Sequence, residues 1–465
     1  LNEDPIKSEQ QMVDKHVVKM PVESLQMIST CLHLRGFNAP YRMSFAYHPC
    51  TIWARESSKN MEWLVEHTYA LCKEYTIRYG KTHQVERTMK MYHDTIQELY
   101  GISPRDGLAM WTADMDFRSP ECVIESLKKQ IDHGIFGYFG DYSKYYEALI
   151  EWYLKRHNWK IEPRWVSVTH GLVAAIGIII RAFSNPGDGV IIFSPVYHSF
   201  QKIIKANNRN LIESPLLKNS GQYKMNLRDL EKKLSGKEKI LLFCSPHNPG
   251  GKTWSKKELI KLAYFCKSNN LLLVSDEIHN DLIYPGEKHL TYPVAAPEIL
   301  DRLILLVSSS KTFNLAGGLM GNVIIQNPQL RKAFNKAHAA TGTTPNRFGM
   351  QIAESAYRGG ETWLDELMVY LNKNRKLFDD AINKIPGVNS MRLAATYLAW
   401  VDFSGTGMNE QEIIHRVHKK AQIAANIGSS FGNGGQTFLR FNFACPTKTV
   451  FEAIQRLEYA FGDLQ

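Results

Sequence analysis

The chain has no apolar run approaching the roughly 18 residues that a membrane span requires. Its longest apolar stretches are strand-sized, so no spanning helix is expected. Paired cysteines are missing too. The seven at positions 31, 50, 72, 122, 244, 266 and 445 form no C-x-x-C pair and are odd in number, which argues for a reducing compartment and against a disulfide framework. The sixteen histidines include no H-E-x-x-H spacing, so no metal site is expected. The formal charge of +10 is spread along the chain rather than gathered in a block, which suits anionic small molecules as well as nucleic acid and decides little. Leu1 to Gln11 is polar and charged, unlike a secretory leader. The chain opens on leucine, so its natural beginning is expected upstream. A cytoplasmic protein is the expectation.

What is present is ordinary globular material: 465 residues, 44% hydrophobic and 22% charged, enough for two or three domains with a real core. Met12, Val13, Val17, Met20, Leu25, Ile28 and Leu32 follow helical spacing over residues 8–34, with Pro21 expected to kink or restart the helix. A loop from Gly36 to Pro49 and a second helical pattern through Trp53, Trp63, Leu64, Tyr69 and Leu71 complete a small helical module. Ser57 to Asn60 is read as the cap region between the two tryptophans. Through residue 90 this segment carries twelve Lys/Arg against ten Asp/Glu, so it is not expected to be a nucleic-acid arm.

The texture changes near residue 95. Ser119-Pro120-Glu121 marks a helix start, and Gly134 and Gly137 end that helix. Then VSVTHG, GVIIFSPVY, KILLFCSPHNPGG, LLLVSDEIH and LILLVSSSK read as buried strands. Helical patterns separate several of them, such as Lys256 to Ser268. Strands apolar on both faces and alternating with helices imply a parallel sheet covered on both sides. Tyr197, Asn248, Asp276 and Lys311 each come at or just after the end of such a strand, where open α/β sheets bind ligands.

A lysine that can hold an aldehyde, an acid for a ring nitrogen, a flat side chain and an anion cradle together suit pyridoxal phosphate. Lys311 is the candidate for the imine and for the base at the substrate α-carbon. Asp276 would keep the pyridine nitrogen protonated, and Tyr197 would stack on the ring. Asn248 and His279 would lie at the ring oxygen. Gly171 and Leu172 open a helix whose free N–H groups favour a phosphate, with Ser308 and Ser310 as further donors. Arg440 suits a substrate carboxylate. Gly317-Gly318 is read as room for close backbone approach to the site. Two rival motifs fail. Ser308-x-x-Lys311 lacks the companion elements of penicillin-recognising enzymes, and Gly251-Lys252-Thr253 lacks the first P-loop glycine, which is Pro246 here.

The order Asn248, Asp276, Lys311, Arg440 resembles fold-type-I pyridoxal-phosphate enzymes of the aminotransferase class I/II superfamily. MWTADMDF, HGIFGY, SPHNPGG, SDEIHNDL and SSSKTFNLAG are similar to the MalY/PatB group of cystathionine β-lyases, or C–S lyases, over roughly residues 95 to 465. Gly251 departs from the group's commoner Thr or Val. The resemblance implies the type I pyridoxal-phosphate transferase fold, an α/β fold with a mostly parallel large domain (136–369) and a smaller α+β domain (91–135 and 370–465), preceded by the helical module (1–90). It implies Lys311, Asp276 and Tyr197 as catalytic residues. Asn248, His279, Gly171, Leu172, Ser308 and Ser310 would hold the cofactor, and Arg440, Asn248 and Ala113 the amino-acid substrate. Tyr138 would reach the phosphate of a neighbouring subunit in a homodimer. The implied activity is β-elimination from cystathionine or a related cysteine S-conjugate. An aminotransferase and a non-catalytic regulator keeping the fold are the alternatives. Separately, DKHVVKM, HPCTIWARESSKNMEWL and EYTIRYGKTH resemble a small helical family encoded by bacteriophages, over residues 3 to 85.

Overall fold

The structure is a computed structural model that describes residues 14–34, 46–56, 58–79, 81, 83, 85, 107–138, 140–219 and 221–464. Two compact units emerge: Leu1–Leu108 with Gln422–Ala424, and Ala109–Ala421 with Ala425–Gln465. Among the described residues no helix is long and apolar enough to cross a membrane, and no cluster of three or more His, Cys, Asp or Glu side chains could hold a metal ion.

The first unit contains helices Asp14–His33, Pro49–Glu56 and Ser58–Tyr79. Leu25, Ile28, Cys31, Ala54, Leu64, Cys72 and Val85 form its core. The Trp53 and Trp63 rings meet edge to face at 5.6 Å. The helix runs through Pro21 without restarting. Its buried face, with Leu25 and Ile28 on the turns that follow, outweighs the one backbone bond that proline removes. The expected start near residue 8 and most of the Gly36–Pro49 loop lie outside the described residues.

In the second unit seven strands form one sheet. In chain order they are β1 (Val166–His170), β2 (Gly189–Ser194), β3 (Asn210–Pro215), β4 (Glu238–Cys244), β5 (Leu272–Asp276), β6 (Leu303–Val307) and β7 (Met320–Ile324). Their spatial order is β1-β7-β6-β5-β4-β2-β3. Pairings from β6 to β3 are parallel, whereas β7 runs antiparallel to both neighbours. Val190, Ile192, Ile240, Leu242, Val274, Ile304 and Leu306 pack with Ile176, Ile179 and Phe200 from the helices in one core. The expected helix at Lys256–Ser268 is present and begins with a capping box between Ser255 and Glu258. Helix Glu121–His133 ends at Gly134, whose φ of 71° is the left-handed conformation glycine tolerates. A second sheet follows: β8 (Asn389–Ser390), β9 (Leu398–Asp402), β10 (Asn426–Ile427) and β11 (Phe438–Asn442), ordered β8-β9-β11-β10 with antiparallel pairing.

Candidate active site

The carboxyl ends of the parallel strands release the polar groups one by one. Asp276 is the last residue of β5, Lys311 lies four residues past β6, and Tyr197 and Asn248 follow β2 and β4. Gly171 follows β1 and caps helix Leu172–Phe183 with a φ of 82°, in open space where a Cβ would meet nothing within 4 Å. Arg440 enters from β11. All six line a single cavity of about 530 Å³, together with Ala113, Leu172, His279 and Ser310. That volume is typical of a small-molecule or cofactor pocket.

Two of the singled-out residues are not in its wall. Ser308 caps the short helix Ser309–Thr312 and donates to the Met320 carbonyl at 2.6 Å, with Ser310 Oγ 2.8 Å away. Tyr138 is fully exposed. The close approach expected at Gly317-Gly318 divides. Gly317 has open space around it, while a Cβ on Gly318 would press Ile352 Cδ1 at 2.8 Å, on helix Arg347–Gly359.

The electrostatics of the pocket are those of groups left uncompensated. Burial pushes the Asp276 carboxyl up to about 7, and the Glu277 carboxylate adds to it, against the Ile278 N–H and the Lys311 charge. Asp276 accepts the Ile278 N–H at 3.1 Å and belongs to no ion pair among the described residues. Burial pulls the Lys311 amine down to about 8, helped by Arg440 and opposed by Asp114 and Asp276. Its Nζ donates to the Ala113 carbonyl, which also accepts from Tyr397 Oη at 2.9 Å. His279 is held neutral, its pKa lowered to about 3 by burial, Lys311 and Arg440, and its Nδ1 is buried without a partner. Arg440 is lowered to about 10 by burial. It donates to Asn248 Oδ1 at 3.0 Å, the Trp111 carbonyl at 2.8 Å and Asn426 Oδ1 at 2.5 Å, while its Nε stays unpartnered. A buried guanidinium facing only neutral acceptors is fit to receive a carboxylate.

Sequence reasoning passed over the residues that hold segment Trp111–Phe117 in place. Asn314, at a φ of 56°, accepts from the Met115 N–H at 3.0 Å and donates to the carbonyls of Met115 at 2.8 Å and Phe117 at 3.0 Å. Asn442 donates to the carbonyls of Thr112 and Asp114, both at 2.6 Å. An asparagine inside a turn-rich segment such as TFNLAGG signals a left-handed residue, but not which distant backbone it serves. His198 and Cys244, also in the cavity wall, were likewise unmarked.

Comparisons with known proteins agree with this geometry. Residues 107–457 match the family model described as aminotransferase class I and II. Residues 2–87 match a different model, described as pyrimidine dimer DNA glycosylase. Cystathionine beta-lyase PatB of Bacillus subtilis is 36% identical over 378 residues, covering 81% of this chain and 97% of that protein. Protein MalY of Escherichia coli is 30% identical over 369 residues, covering 78% and 93%. The structure of cystalysin from Treponema denticola, which contains a pyridoxal 5'-phosphate cofactor, is similar at a TM-score of 0.76 and 37% identity, covering 80% of this chain and 95% of that one. A pyridoxal-phosphate-bound C-S lyase from Staphylococcus hominis gives a TM-score of 0.73 and 32% identity, covering 78% and 90%. With most of its length matched and its strand-end residues gathered in one cavity, the chain belongs to the aminotransferase class I and II family.

Proposed function

We propose that the protein is a pyridoxal-phosphate-dependent carbon–sulfur β-lyase, cleaving cystathionine or a related cysteine S-conjugate to pyruvate, ammonia and a thiol. The observation that carries this reading is one cavity holding a half-buried lysine amine, a buried unpaired carboxylate and a buried guanidinium with no acidic partner: Lys311, Asp276 and Arg440. The relatives named cystathionine beta-lyase and C-S lyase supply the direction of the chemistry.

The cavity fits the cofactor. Asp276, buried with its carboxyl pushed up to about 7, lacks the cation that a protonated pyridine nitrogen would provide and that would bring the carboxyl back down. Tyr197 would cover the ring face, and Asn248 with His279 would meet the ring oxygen. The N–H groups opening helix Leu172–Phe183, with Ser310 beside them, would take the phosphate. Ser308, committed to the Met320 carbonyl, would act there through Ser310. When bound, the cofactor supplies an aldehyde that captures amines and a ring that withdraws electrons.

The chain's own residues do the rest. Arg440 would hold the α-carboxylate of the amino acid, with Asn248 and the Ala113 segment beside it. The Lys311 amine would take the α-proton. A pKa near 8 in place of 10.5 makes its neutral fraction at neutral pH on the order of a hundredfold larger. Thiolate then leaves the β-carbon, and water converts the remaining fragment to pyruvate and ammonia. Incubation of the protein with cystathionine should yield pyruvate and free thiol with no 2-oxo acid added. Turnover that requires a 2-oxo acid acceptor would replace this reading with the aminotransferase one. Cofactor retention with neither reaction would leave the regulator.

The quaternary state, compartment and division of the chain belong to the same proposal. Tyr138, exposed with Ile135 and Phe136, supports a homodimer in which it reaches the neighbouring phosphate site. Seven cysteines, odd in number and with no C-x-x-C pair, support a cytoplasmic location. The helical module would span 1–90, the small domain 91–135 and 370–465, and the large domain 136–369. Sedimentation of the wild type beside a Phe136→Asp variant tests the dimer, which the variant should split.

A further inference from the structure

The geometry points to Asp281 as a positioning residue that fixes Lys311 through the Thr312 hydroxyl. Lys311 stands on a helix of only four residues, Ser309–Thr312, and a single isolated turn does not hold its own shape in water. Something outside it must hold each end. At the front, Ser308 caps the turn by accepting the Ser310 N–H at 3.1 Å. At the back, Thr312 Oγ1 donates to Asp281 Oδ2 at 2.8 Å. Asp281 is itself anchored from a different helix: His157 Nε2 lies 2.8 Å from Oδ1, and Trp152 Nε1 donates to both oxygens at 3.2 Å. Thr312 and Asp281 are buried, as is Trp152.

A carboxylate so deeply placed needs a reason to stay charged. Burial opposes its charge, but His157, Thr312 and Arg156 outweigh burial and hold its carboxyl below the ordinary range. Tyr153 and Tyr357 also feel its charge. It lines a second cavity, of about 560 Å³, that shares no wall residue with the first. Asp281 therefore acts on the lysine from outside the reaction space, by orientation. Adjacent residues on a helix point about 100° apart, so a fixed Thr312 also fixes the direction of Lys311. That direction is what keeps the amine on the Ala113 carbonyl and among Asp114, Asp276 and Arg440. If the turn slips, the amine gains solvent and its proton affinity rises toward that of an ordinary lysine.

This rests on the cofactor reading above, and the test separates the two. In the cofactor-free full-length chain, capture of pyridoxal phosphate at Lys311 is followed against pH, with borohydride reduction and peptide mapping to locate the label. Thr312→Val, which keeps the shape and loses the hydroxyl, and Asp281→Asn should capture roughly 3- to 10-fold more slowly at neutral pH, with the midpoint about 0.5 to 1 unit higher. Thr312→Ser, which keeps the hydroxyl and loses a methyl, should match the wild type. A packing role predicts the opposite ranking of Val and Ser, and that ranking would overturn the proposal. So would a lowered melting temperature with capture rate and midpoint unchanged. Should Asp281→Asn not fold, the two Thr312 variants decide alone. A wild-type chain that labels at another lysine overturns the cofactor reading itself, and the positioning role with it.

Discussion

Asp276 and Lys311 pull stability in opposite pH windows, because burial shifts an acid up and a base down. Asp276 rises to about 7 from an ordinary value near 4. The unfolded chain therefore binds fewer protons than the native one between those values, and stability falls as pH climbs through that window. Lys311, lowered to about 8, is protonated in the unfolded chain up to its ordinary pKa near 10.5, so its contribution grows as pH rises from 8 to 10.5. Asp276→Asn should remove the first effect. In the cofactor-free protein the variant should melt near the wild-type temperature at pH 4 and above it at pH 8, with a gain of at most about 4 kcal/mol. The same variant should lose on the order of 10²- to 10³-fold in lyase turnover, since a neutral amide cannot stabilise the charged ring nitrogen. A melting curve that tracks the wild type at both pH values would show that the carboxylate is compensated in another way. These residues were legible in the sequence because each comes at or just after the end of an apolar strand. Ser308 and Ser310 were not separable there: one hydroxyl faces the cavity and the other the Met320 carbonyl, a difference set by a strand twelve residues on.

At the scale of elements, the parallel strands were legible because both faces are buried and the apolar run is unbroken. β3 and β7 were not. β3 carries Glu213 and Pro215, as an edge strand can, and β7 begins Met-Gly-Asn. Its Asn322 is buried, and its Oδ1 accepts the Tyr145 hydroxyl at 2.8 Å, so that oxygen is answered by a residue 177 positions away while its Nδ2 stays unpartnered. The glycine is there for a related reason. A Cβ on Gly321 would lie 2.8 Å from Leu172 Cδ2 and Thr169 Oγ1 and 2.9 Å from the carbonyl carbon of Gly171. The close approach expected at Gly317-Gly318 is thus made at Gly321, where β7 passes the helix N-terminus proposed to hold the phosphate. Gly321→Ala must push that backbone, because Gly171 is not a flexible side chain that can turn away. Overpacking should cost about 1 to 3 kcal/mol in thermal unfolding. Titration should show affinity for pyridoxal phosphate falling by roughly tenfold, the equivalent of about 1.4 kcal/mol. Unchanged affinity alongside lowered stability would remove the Gly171–Leu172 terminus from the phosphate site.

At the scale of the molecule, the chain joins two units with separate cores. Every wall residue of the first cavity lies between Trp111 and Arg440, and the aminotransferase match begins at residue 107. The helical unit packs Leu25, Ile28, Leu64 and Val85 among its own helices. The two family matches do not overlap. Periodicity in the sequence was enough to show a helical module, because Leu25, Ile28 and Leu64 fall on buried faces at helical spacing. Its charge, twelve basic against ten acidic residues, decides nothing about a partner, since a small net charge says nothing of where the charges lie. Independence of the cores makes removal of residues 1–90 the decisive cut. The shortened protein should label Lys311 with pyridoxal phosphate as the full chain does and keep lyase turnover within about twofold, because none of the charges that set the Lys311 amine, at Arg440, Asp114 and Asp276, is removed. An insoluble shortened chain would show that the catalytic unit depends on the module for its folding.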